Sequence, residues 1–105
     1  MNDMFMKEYT ANEILELLRS HRTLLQKYKV NRIGLFGSHS RDESNNESDI
    51  DLIVDFEEKN FDNFIGLAFD LEDIFGRKVD LLTEKGISPY ILPSIKNEIR
   101  WYETR

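Results

Sequence analysis

Two aspartates, Asp49 and Asp51, are the first residues in this chain whose type and spacing suggest chemistry. They lie in the run Asp49–Phe56, which alternates in polarity with period two. Strand geometry sends Ile50, Leu52, Val54 and Phe56 to one face and Asp49, Asp51, Ile53 and Asp55 to the other. Carboxylates at i and i+2 of a strand stand about 6–7 Å apart. They repel, resist desolvation and raise each other's pKa unless a cation sits between them. Magnesium suits such a pair, being a hard divalent ion that takes carboxylate oxygens and keeps positions for water and phosphate oxygens. A bare Asp-x-Asp also fits the solvated edge of an antiparallel strand, so the neighbouring residues decide.

Gly37-Ser38 directly follows a run of β-formers, and ten residues separate Ser38 from Asp49. Glycine permits close backbone approach, and exposed N–H groups together with a serine hydroxyl hold phosphate oxygens. A third carboxylate, Asp80, stands between Val79 and Leu81 in another β-like run. If that strand neighbours the Asp-x-Asp strand, three carboxylates gather. Such a set holds one or two magnesium ions and orients an attacking hydroxyl.

The elements that must position these groups follow from pattern. Thr10–Tyr28 is predicted to be an amphipathic helix: Thr10 and Glu13 have capping-box spacing, and Ile14, Leu17, Leu18, His21, Leu24, Leu25 and Tyr28 share one face. Val30–Phe36 is predicted to be a strand ended by Gly37-Ser38, and His39–Ser48 a polar loop with a short helical turn at its start. After the Asp49–Phe56 strand and a turn, Phe61–Phe75 is predicted to be a strongly apolar helix with Gly76 as a left-handed C-cap. Lys78–Thr83 is a third strand. Ser88-Pro89 suits a helix start, Pro93 divides that region into a turn and a helix running toward Ile99, and Arg100–Glu103 is a last short strand. The order α-β-β-α-β-α-β implies an α+β fold, a small mixed β-sheet with helices packed against it.

Composition narrows the function. With 105 residues the chain, 1–105, is expected to be a single domain, its first nine residues a loosely held lead-in. The formal net charge of -6 argues against a basic nucleic-acid coat, so no direct nucleic-acid binding is expected. No cysteine is present, which excludes a thiolate nucleophile and a Cys-ligated metal and suits a reducing compartment. The longest apolar run, Phe64–Phe69, falls far short of the ~20 residues of a spanning helix. A cytoplasmic protein with no membrane partner is expected. Eight of the 20 acids fall between Asp42 and Glu58, so part of the acid excess reads as a cation site rather than as a solvated surface.

Gly37-Ser38, ten residues, then Asp49-Ile50-Asp51 resembles the signature of the polymerase-β-like nucleotidyltransferase superfamily. The stretch RIGLFGSHSRDESNNESDIDLIVDF looks like its small stand-alone members, the minimal nucleotidyltransferases, and GRKVDLLTEKGISPYILPSIKNEIRWYE resembles the remainder of such a domain. The resemblance extends from Thr10 to about Glu103. It implies that Gly37 and Ser38 cradle a nucleoside triphosphate. It makes Asp49, Asp51 and Asp80 the ligands of two Mg2+ ions, with Asp80 also placing or deprotonating the attacking hydroxyl. Arg41 matches a basic residue that supports the loop or reaches phosphate. Members often carry glycine after that arginine, whereas this chain has Asp42, a local departure in loop shape and charge. Stand-alone members of this size resemble antitoxins that pair stably with a HEPN-domain ribonuclease toxin and silence it by transferring AMP from ATP to a tyrosine. The alternatives are silencing by binding alone, and transfer to a small molecule or RNA.

The remaining candidates read more plainly. His39 is expected in the solvated loop rather than on phosphate, and Asp55 at the strand's exit, outside the metal cage. Trp101 and Tyr102 are expected to pack on the domain rather than stack on a base. His21 is expected to be partly buried.

Overall fold

The structure, a computed structural model, describes residues 8–43, 49–58 and 60–104. The loop reading for 44–48 and most of the lead-in reading therefore lie outside the described residues. Four strands form one sheet in the order β3-β2-β1-β4, where β1 is Val30–Phe36, β2 Ile50–Phe56, β3 Val79–Leu82 and β4 Arg100–Glu103. β1 runs antiparallel to β2 and β4, while β2 and β3 are parallel. The helices are α1 (Ala11–Ser20), α2 (Arg22–Lys27), α3 (Phe61–Phe75) and α4 (Leu92–Lys96). This is the mixed-sheet α+β architecture expected from the element order.

The period-two pattern decides the layering. Ile33 and Leu35 of β1, Ile50, Leu52 and Val54 of β2, and Val79 and Leu81 of β3 are buried together with Ile14, Leu18, Leu25, Leu67, Leu71 and Phe75 from the helices. Truncating a core residue such as Phe75 to alanine costs about 3–5 kcal/mol. On the opposite face Ile53 is also fully buried, because Ile99 and Trp101 crowd over Gly34 beside it. That face stays open toward Asp51 and Asp80, so the sheet has one apolar side and one side that carries charge.

The capping box closes as predicted: Glu13 N–H donates to Thr10 Oγ1 at 3.1 Å, and Thr10 N–H to Glu13 Oε1 at 2.9 Å. The single helix expected over Thr10–Tyr28 is interrupted at half-buried His21. Ser20 Oγ (2.9 Å) and His21 Nδ1 (2.8 Å) both turn back onto the Leu17 carbonyl, competing with the helical ladder for that acceptor. α4 begins later than the Ser88-Pro89 start predicted. Ser88 closes a turn instead, its carbonyl accepting from Ile91 and Leu92 N–H, and Pro93 takes a first-turn position in the helix. Tyr9, at the end of the expected lead-in, is buried, and its hydroxyl donates to Phe75 O at 2.8 Å.

Candidate functional site

Register rather than sequence distance assembles the site. In the parallel β2–β3 pair, Asp51 stands directly opposite Asp80. Across β1–β2, Asp51 also faces Phe36, the last residue before the Gly37-Ser38 turn. Asp49 leads into β2. The predicted carboxylates and the predicted phosphate turn are thus brought to one end of the sheet.

The charge pattern around Asp51 fits the repulsion argument. Its pKa is raised from 3.8 to about 6 by burial first, then by Asp80 and Asp49, by a hydrogen bond shared with Asp80, and by Glu98. Asp51 thus keeps its proton to a higher pH than an ordinary carboxyl does. A divalent cation could take that proton's place, and hard carboxylate oxygens suit magnesium. No three His, Cys, Asp or Glu groups among the described residues converge into a ready-made cage. The Asp51–Asp80 pair is therefore the nucleus of the candidate metal site, with Asp49 acting on it through its charge.

Gly37 shapes the turn. It holds φ 76 and ψ -159, a region that side-chain-bearing residues essentially do not occupy. A Cβ there would overlap Asp51 Oδ2, so the turn and the carboxylate share one space. Ser38–Arg41 then forms the short helical turn expected, with Ser40 Oγ donating to Gly37 O at 2.7 Å. Asp42 sits in the left-handed region, φ 55, where a glycine would be at ease, and its carboxylate Oδ1 accepts from Ala11 N–H at 2.7 Å. The aspartate thereby ties the loop to the start of α1.

Three residues have roles that sequence spacing did not reveal. His39 is neither solvated nor exposed to phosphate: it is fully buried under the turn. Burial, then the neighbouring Arg77 charge, lower its pKa. The Asp49 backbone offsets this in part, and neither ring nitrogen closes a hydrogen bond of ordinary geometry. His39 is therefore a neutral filler between the turn and the approach to β2. Glu98 accepts from Gly37 N–H at 3.0 Å through Oε2 and from Arg41 Nη1 at 2.9 Å through Oε1. Arg41 also reaches Glu43 at 2.9 Å, and the two carboxylates raise its pKa. No local pattern announces the partners of Asp42 and Glu98, which lie 31 and 61 residues away along the chain. Asp55, as expected, lies outside the cluster: it is exposed and 3.8 Å from Arg32, whose guanidinium stacks on Trp101.

The family profile of a nucleotidyltransferase domain matches residues 18–102. A Methanocaldococcus jannaschii relative, named as a candidate protein adenylyltransferase, is 47% identical over 86% of this chain and 95% of its own length. A Thermococcus cleftensis relative, named protein adenylyltransferase MntA, is 36% identical over 86% of this chain and 93% of its own. Among solved structures, a candidate minimal nucleotidyltransferase superposes with TM-score 0.69 at 33% identity, covering 82% of this chain and 93% of its own. A variant of the MntA–HpeT toxin–antitoxin superposes with TM-score 0.60 at 25% identity, covering 90% and 72%.

Proposed function

Since the chain belongs to the nucleotidyltransferase domain family, we propose that it is a magnesium-dependent protein adenylyltransferase, an antitoxin that transfers AMP from ATP to a tyrosine hydroxyl of a HEPN-domain toxin. The observation that carries the reading is the Asp51–Asp80 pairing beside the Gly37 turn. The names of the two relatives supply the adenylyl group, and the toxin–antitoxin neighbour supplies the kind of partner. In this reading the protein acts in the cytoplasm and forms a stable hetero-oligomer with its toxin. No helix among the described residues is long and apolar enough to cross a membrane.

The chemistry is in-line displacement. The tyrosine oxygen forms a bond to the α-phosphorus, the bond from that phosphorus to the bridging β-phosphate oxygen breaks, and pyrophosphate leaves. Positioning and charge neutralisation carry most of such a transfer. The backbone N–H groups of the Gly37-Ser38 turn and the Ser38 hydroxyl hold the triphosphate, and Arg41 balances its outer charge. Asp51 and Asp80 would hold magnesium, with Asp49 completing the set once the ion is bound, and the ion would neutralise phosphate charge and lower the pKa of the attacking hydroxyl. Asp80, on the exposed side of β3, orients that hydroxyl and accepts its proton.

Incubating the chain with α-labelled ATP, magnesium and its cognate toxin tests this. Label is expected on toxin tyrosine and is expected to vanish with Asp51→Asn. A folded enzyme that leaves the toxin unlabelled refutes the assignment.

A further inference from the structure

The donors assigned to phosphate are already engaged by an anion. One carboxylate, Glu98, takes both the Gly37 N–H (3.0 Å) and the Arg41 guanidinium (2.9 Å). Glu98 lies in the connection between α4 and β4, 57 residues beyond Arg41 along the chain. The pairing of β4 with β1, Arg100 opposite Leu35, brings this connection to the turn. A backbone amide and a guanidinium holding the two oxygens of one carboxylate form a charge-assisted clamp that phosphate oxygens also satisfy. Glu98 also adds to the negative field that raises Asp51. It therefore stands where incoming phosphate would make its contacts, and its charge opposes that arrival.

We propose that Glu98 is an internal stand-in for the triphosphate, occupying the turn in the nucleotide-free enzyme and leaving when nucleotide binds. The proposal rests on the nucleotidyltransferase reading above. Its consequence is an affinity threshold. A ligand must offer Gly37 and Arg41 more than the resident carboxylate does, and must bring a cation to offset the charge of Asp51 and Asp80. The side chain is itself only partly exposed, at 24% against 45% for Arg41, so release moves it out of a half-buried position.

Calorimetric titration with the magnesium complex of α,β-methylene-ATP, which cannot be cleaved at the reacting bond, tests this on the full chain. Removing one charge-assisted competitor in Glu98→Ala is expected to tighten binding about tenfold, with a smaller gain in Glu98→Gln. A residue that merely props the turn would weaken binding when truncated. Equal or weaker binding by a folded variant therefore overturns the stand-in and leaves the adenylyltransferase reading intact, whereas no binding by any chain overturns both. Thermal unfolding of the same samples establishes folding. Should a variant not fold, the wild-type chain decides: the Glu98 carboxyl carbon and Gly37 amide resonances must shift on titration, and unmoved resonances overturn the proposal.

Discussion

Gly37 and Gly76 both turn the chain at positive φ, 76 and 62, yet for different reasons. Gly76 ends α3 in ordinary left-handed geometry, its N–H donating to Glu72 O at 2.8 Å, and a Cβ there would meet nothing within 4 Å. It is a helix stop, and its glycine saves conformational strain alone. Gly37 has a more restricted backbone, and its missing side chain leaves the space that Asp51 occupies. The same residue type thus serves folding at one position and the site at the other. The two functions separate because only one glycine abuts a charged group.

The largest effect expected is on transfer. Asp51→Asn should lower the labelling rate by a hundredfold or more, on the order of losing one preorganised electrostatic group. Because it relieves a repelled carboxyl, it should hold or raise the metal-free melting temperature, the usual opposition of stability and function. Gly37→Ala comes next. It should abolish most labelling and destabilise by about 1–3 kcal/mol from backbone strain, plus whatever Asp51 loses by moving. Repeating it in an Asp51→Ala background should make Gly37→Ala less costly, since part of its cost is the clash. Additive costs would break the comparison.

Gly76→Ala should destabilise by only about 1–2 kcal/mol and leave the labelling rate unchanged; a loss of rate would mean that α3 shapes the site. The pH effect should be smallest. Asp51 titrates near 6 folded against 3.8 as its ordinary value, so between about pH 4 and 6 the folded state binds more protons than the unfolded one. Stability from this group is present below that window and falls as pH rises through it. Melting temperatures across that range should decline less with magnesium present, and magnesium binding should strengthen toward pH 7.

Much of this was legible in the chain. β1, α3 and β4 follow the boundaries their patterns predict, since apolar periodicity and a glycine cap act locally. The carboxylates were legible because a like-charge pair in a buried-looking strand demands an explanation. Asp80 needed one condition that sequence alone did not supply, that β3 lie beside β2. The fully buried His39, the loop tie through Asp42 and the clamp of Glu98 were not legible. Each depends on a contact made after distant elements have packed, and a polar residue in a polar stretch carries no mark of it. The break at His21 was hidden similarly, because the apolar stripe runs on through a local contest for one carbonyl.

The parallel pairing of Asp51 with Asp80 also sets which parts of the chain are free to change length. What joins them is a turn, the helix α3 and the Gly76–Lys78 connection, and none of these fixes the pairing by residue count. Residues added at Glu57–Asn60 would lengthen the route and leave the two carboxyls facing each other. A one-residue slip of β3 against β2 would set Asp80 opposite Ile50 or Leu52, facing the core, and bring its apolar neighbours to the charged face. For grafting or splitting this protein, the spare length therefore lies in the crossover, and a four-residue strand is the part that must not slip.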